Sequence, residues 1–151
     1  MKQVRHLFIL MIDDDDDDKS LFSEAVEEID PNIKCVTAKD GKDALEFLKN
    51  CNELPDFIFL DLNMPGMNGK KFLEELKKST RLANIPVVIF CSSGNWDDVE
   101  ETKNLGASMY LRKPADYDAT REAILFVITE QYKKVANDQY PVNKSINFKD
   151  N

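Results

Sequence analysis

The run Phe57-Ile58-Phe59-Leu60-Asp61-Leu62-Asn63-Met64-Pro65-Gly66-Met67-Asn68-Gly69 decides the fold. Four consecutive apolar residues end in a bare carboxylate and then in a Pro-Gly turn, the pattern of a strand covered on both faces. Asn68-Gly69 then opens a helix with Phe72, Leu73 and Leu76 facing inward. A buried strand followed by an amphipathic helix is the repeating unit of a parallel sheet.

The same unit recurs to either side. Leu7–Ile12 is a continuous apolar run that ends in Asp13-Asp14, and Leu21, Phe22, Ala25, Val26 and Ile29 follow at helical spacing until Asp30-Pro31 stops the helix. Ile33–Ala38 reads as a second strand, and Asp40 as the cap of a helix carrying Ala44, Leu45, Phe47 and Leu48. Pro86–Cys91 is the fourth strand. The segment from Asp97 to Leu105 is polar for a helix, with Val99 and Leu105 as its anchors, and Gly106 ends it. Met109-Tyr110-Leu111 forms a short fifth strand before Lys113-Pro114. A last helix is expected from about Asp116 to Val135, with Ile124, Leu125, Ile128 and Tyr132 on one stripe. Five strands alternating with five helices imply an α/β fold with a parallel sheet. Residues 1–136 are expected to form one domain and the polar residues 137–151 a flexible tail.

Composition narrows the function. A chain of 151 residues with a formal net charge of -8 repels nucleic acid and anionic membrane surfaces alike. No apolar stretch approaches the roughly 20 residues of a membrane helix, and no cleavage site of a signal peptide follows the first apolar run, so a cytoplasmic protein is expected. Cys35, Cys51 and Cys91 are odd in number and lack metal-ligand spacing, so they read as reduced thiols. His6 is the single histidine and precedes the first strand's apolar run, a poor place for the base of a Ser-His-Asp or Cys-His triad.

Three strand-like segments therefore deliver Asp13-Asp14, Asp61 and Lys113 at the same end, where open parallel sheets build their sites. Three carboxylates and one ammonium suit a divalent cation and a phosphoryl group. Within the acidic run Asp13–Asp18, the first two residues are expected in the site, and Asp17 or Asp18 is expected to cap the next helix. A calcium loop is the competing reading, because Asp13, Asp15, Asp17 and Glu24 match its spacing. Asp18 stands where that loop requires glycine, and the element before it reads as a strand. A cis Lys113–Pro114 bond would help to aim the lysine, although few such bonds are cis.

Together these residues resemble the receiver domain of two-component response regulators, the CheY-like family. The resemblance covers roughly Arg5 to Val135 and rests on the acidic pair, Asp-Leu-Asn-Met-Pro-Gly, Leu-Gly-Ala and Lys-Pro. The spacing from Asp13 to Asp61 and from Asp61 to Lys113 also fits that family. The resemblance implies a doubly wound, flavodoxin-like five-stranded sheet of order 2-1-3-4-5 flanked by five helices, an order carried over rather than derived. It implies Asp61 as phosphoacceptor. Magnesium would be held by Asp14 and Asp61, by Asp13 mainly through water, and by the backbone carbonyl of Asn63. Lys113 would pair with the aspartyl phosphate, and Tyr110 falls on the aromatic switch position. Cys91 stands where the family usually has threonine or serine, and a thiol is a weak donor. Either Ser92 supplies the hydroxyl, the favoured reading, or coupling to Tyr110 is weakened.

The resemblance implies a phosphoacceptor switch that takes its phosphoryl group from a histidine kinase or phosphotransfer protein and acts on a downstream protein target. The expected state is a monomer or weak homodimer without enzymatic output, since the few residues after the last helix could not form another module. Loop residues such as Asn63 and Ser93 are expected to set the phosphate lifetime. Two alternatives remain open. One is a degenerate receiver that binds a partner without phosphorylation, supported by Cys91. The other is a magnesium-dependent phosphatase using Asp61 as nucleophile, which Asn63, unable to act as an acid, counts against.

Overall fold

The computed structural model describes residues 6–136, with side chains described to residue 130. Five strands, β1 (Phe8–Ile12), β2 (Lys34–Ala38), β3 (Phe57–Leu60), β4 (Val87–Cys91) and β5 (Met109–Arg112), alternate with five helices. These are α1 (Asp16–Ile29), α2 (Gly41–Asn50), α3 (Gly69–Lys78), α4 (Trp96–Asn104) and α5 (Tyr117–Ala136). All pairings are parallel, and the sheet order is β2-β1-β3-β4-β5. The doubly wound, flavodoxin-like fold is therefore present with its expected order. The region assigned as a tail, residues 137–151, lies outside the described residues.

Period-two side-chain alternation splits the central strands between two cores. Leu10, Ile12, Ile58, Leu60, Val87 and Ile89 face Ala44, Leu48, Phe72, Leu73 and Leu76 from α2 and α3. Ile9, Met11, Phe57, Phe59, Val88 and Phe90 face Phe22, Ala25 and Val26 of α1 and Ile124, Val127 and Ile128 of α5. On this second face Phe22, Phe59 and Phe90 stack edge to face, with centroids 4.8, 5.6 and 6.1 Å apart pairwise, a geometry that adds to simple burial.

Several local expectations are corrected. The cap of α1 is Asp15, whose side chain accepts from Asp18 N, and not Asp17 or Asp18. Because β1 ends at Ile12 and helix begins at Asp16, no calcium loop can form from the acidic run. Leu125 is 40% exposed and Leu21 is 43% exposed, while Val127 lies in the core. Leu21 and Leu125 belong to apolar pairs, Leu21-Phe22 and Ile124-Leu125, and at 100° per residue only one member of each pair faces the sheet. Tyr132 has no described side chain. The described residues contain no cis peptide bond, so Lys113–Pro114 is trans. Asp40 and Asn68 cap α2 and α3, and Gly106 adopts a φ of 103° at the end of α4.

Candidate functional site

Register assembles the site. Ile12 is the partner of Leu60 across β1 and β3, so the next residues, Asp13 and Asp61, emerge side by side. Asp61 N donates to Ile12 O at 3.0 Å and Asp13 N to Ala38 O at 3.1 Å, which extends the ladders past the strand ends. The chain crosses from β2 on one side of β1 to β3 on the other, so this is the switch point of the sheet, where such folds leave a crevice. Two strands away, Cys91 pairs with Arg112, and Lys113 N donates to Cys91 O at 2.9 Å. That ladder fixes the start of the Lys113 side chain, whose Nζ reaches back over β3 to β1.

The β3–α3 loop is held tightly under Asp61. Gly69 N donates to Leu62 O at 3.1 Å. A Cβ on Gly69 would sit 2.5 Å from Asp61 O and 2.8 Å from Leu62 Cα, so only glycine permits this approach. Gly66 supplies the turn with a φ of 72°. These two glycines are the physical content of the Asn-Met-Pro-Gly and Asn-Gly signals in the sequence.

One carboxylate oxygen from each of Asp13, Asp14 and Asp61 lies within 4.8 Å of the others. Asp13 is completely buried and Asp61 is 6% exposed, while Asp14 faces solvent. Lys113 Nζ donates to Asp13 Oδ2 at 2.6 Å and to Asp18 Oδ2 at 2.9 Å, but stands 3.9 Å from Asp61 Oδ2. Asp61 is thus left with a long bond from Asn63 N, at 3.4 Å, and an ammonium committed elsewhere. Burial, reinforced by Asp13 and Asp14 and opposed by Lys113, pushes the Asp61 carboxyl up to about 6. For Lys113, burial works against the charge, but hydrogen bonds to Asp13 and Asp18 outweigh it and hold its pKa above the usual lysine range. The cluster therefore holds more negative charge than its lysine neutralises. Its donors are hard oxygens at a spacing one small divalent cation can span, so these residues fit magnesium.

A second network lies under the β4–α4 loop. Tyr110 Oη donates to Ser93 O at 2.8 Å, and Cys91 Sγ donates to the same carbonyl at 2.9 Å. Cys91 Sγ and Tyr110 Oη are 3.1 Å apart, both pushed upward in pKa by burial. The backbone at Gly94 packs against the ring, where a Cβ would make ordinary contact with Tyr110 Cε1 at 3.4 Å. Tyr110 is 9% exposed, packed inward. Ser92 is exposed and its carbonyl accepts from Arg112 Nε at 3.4 Å. Ser93 places its hydroxyl 2.8 Å from Asn63 Nδ2, bridging the β3–α3 and β4–α4 loops across the mouth of the site.

Two sets of contacts had no signal in the sequence. Asp18 joins Lys113 across 95 positions, and Lys70 Nζ ties α3 to α4 through Asp98 at 2.6 Å and Glu101 at 2.7 Å. A cleft of about 400 Å³, lined by Leu62, Asn63, Met64, Asn68, Lys70 and Asp98, runs from the site toward this clamp.

The response regulator receiver domain model matches residues 9–125. The chain is 34% identical over 110 residues to response regulator Rcp1 of Synechocystis sp., covering 70% of this chain and 75% of that protein. It is 33% identical over 116 residues to sporulation initiation phosphotransferase F of Bacillus subtilis, covering 77% of this chain and 89% of that protein. The structure of the phosphorylated cyanobacterial phytochrome response regulator RcpA superposes with a TM-score of 0.79 at 28% identity, covering 85% of this chain and 95% of that one.

Proposed function

The chain belongs to the response regulator receiver domain family, and from that membership we propose that it is a phosphoacceptor switch modified on Asp61. The observation that carries this reading is the convergence of the Asp13, Asp14 and Asp61 carboxylates within 4.8 Å beneath a lysine. Asp13, Asp14, Asp61 and the backbone carbonyl of Asn63 would hold magnesium, which would supply neutralisation of the negative charge that develops during phosphoryl transfer.

The donor is a phosphohistidine of a histidine kinase or phosphotransfer protein. A bond forms between an Asp61 carboxylate oxygen and phosphorus as the phosphorus–nitrogen bond breaks, and the imidazole leaves with the bonding pair and takes a proton. Lys113 Nζ stands 3.9 Å from Asp61 Oδ2, beyond hydrogen-bond length but close enough for its charge to face a phosphoryl group carried on that carboxylate. Burial of Asp61 and the tight backbone under it fix the direction of attack.

The signal leaves through the β4–α4 loop. A phosphoryl oxygen above Asp61 draws on donors from Ser92 or Cys91, and that loop carries the Ser93 carbonyl that anchors Tyr110. Movement there shifts Tyr110 and α4, whose one buried residue is Thr102, and alters the face a target protein reads. Cys91 gives the degenerate reading its single support, because its thiol is already committed to Ser93 and Tyr110.

The test is intact mass after incubation with acetyl phosphate, with and without magnesium, beside Asp61→Ala. A magnesium-dependent gain of one phosphoryl group that the variant lacks supports the reading. Equal uptake by Asp61→Ala sinks it, and absence of uptake from both acetyl phosphate and the kinase favours the degenerate receiver.

A further inference from the structure

Lys113 is held by two carboxylates, and the second of them has no part in the acceptor cluster. Asp18 lies in the first turn of α1, with its backbone N–H fixed by the Asp15 cap. Asp15 takes the capping role, which leaves the Asp18 side chain free to reach Lys113 Nζ at 2.9 Å. The ammonium's close partners are thus Asp13 at 2.6 Å and Asp18, while Asp61 waits at 3.9 Å. We propose that Asp18 is a positioning residue that holds the Lys113 ammonium on the α1 side of the site and competes for it with the phosphoryl group on Asp61. This rests on the phosphoacceptor reading above.

The asymmetry of burial decides which bond gives way. Asp13 is completely buried, so releasing its ammonium would strand a desolvated charge. Asp18 is 39% exposed, so water replaces the lysine there at little cost. Phosphorylation therefore exchanges Asp18 for a phosphoryl oxygen while the Asp13 bond persists as the pivot. The pair is a brake on uptake: the donor must draw Lys113 away from a carboxylate before the transition-state charge is met.

The test compares Asp18→Asn with Asp17→Asn, which removes the same charge from an exposed neighbour. In the first arm, side-chain nitrogen NMR follows hydrogen exchange at Lys113 Nζ, with no phosphodonor present. Asp18→Asn should speed that exchange and Asp17→Asn should not; equal behaviour of the two variants overturns the hold. In the second arm, phosphoryl uptake from acetyl phosphate in saturating magnesium should be at least about threefold faster for Asp18→Asn than for Asp17→Asn, the scale of a partly exposed ion pair. In a Lys113→Ala background that difference should vanish, because Asp18 acts through the lysine. A difference that persists there, or slower uptake in Asp18→Asn, overturns the competition. If Asp18→Asn alone speeds the exchange but the wild-type chain never takes up phosphate, the functional reading and the competition are refuted and the hold itself stands.

Discussion

Asp61→Asn should make the metal-free protein more stable at neutral pH, although it removes the residue on which the site centres. Asp61 is the surplus carboxylate: the lysine's short bonds go to Asp13 and Asp18, so neutralising Asp61 strands no ammonium. The Asp61 carboxyl rises from an ordinary 3.8 to about 6 on folding, which corresponds to about 3 kcal/mol at about 1.4 kcal/mol per pH decade. The sign follows from the direction of the shift. A group whose folded pKa is raised contributes stability that is fully present below pH 3.8 and lost as pH rises through about 6. The asparagine variant escapes that loss. Its amide is an imperfect copy of a protonated carboxyl, so the expected gain at pH 7.5 is about 1–3 kcal/mol. Urea unfolding in a metal chelator, at pH 4 and pH 7.5, measures it. The gap between variant and wild type should be small at pH 4 and open fully by pH 7.5. Magnesium should then stabilise the wild type by about 1.4 kcal/mol at tenfold excess over its dissociation constant and narrow the gap. A variant less stable than wild type at pH 7.5, or a gap that does not depend on pH, would refute the claim that burial and crowding strain this carboxylate.

Gly69→Ala should destabilise the fold by about 2–3 kcal/mol in denaturant titration, because the new Cβ meets Asp61 O at 2.5 Å and backbone cannot step aside. Lys113→Ala should cost about 3 kcal/mol or more by the same method, since it leaves the fully buried Asp13 without its 2.6 Å partner. Tyr110→Phe should cost about 1 kcal/mol through loss of the bond to Ser93 O, and hydrogen exchange should rise in the β4–α4 loop. Lys70→Ala should speed amide exchange in α4 with a stability loss below about 1 kcal/mol, because the bridges to Asp98 and Glu101 lie near the surface.

Strand runs, their terminal charges and the breaker residues between them determined the fold class and which carboxylates meet at one end of the sheet from sequence alone. Such features are local: a run of buried β residues, an Asx cap or a Pro-Gly turn has the same meaning wherever it folds. That Asp61, Asp13 and Lys113 share one end of the sheet followed from parallel strands, which all present the same end. Tertiary structure alone decided which bonds those groups make. Six consecutive aspartates are indistinguishable in sequence, and only the start of α1 at Asp16 made Asp15 the cap and sent Asp18 to a lysine 95 positions away. The same holds for Leu125 and Val127, whose order of burial depends on how α5 is rotated against the sheet. Cys91, Ser92 and Ser93 are neighbours in the chain, yet the end of β4 buries the first, exposes the second and brings the third to Asn63. Propensity and periodicity fix what each element is, whereas the partners of a charged side chain depend on register and rotation, which no single segment encodes.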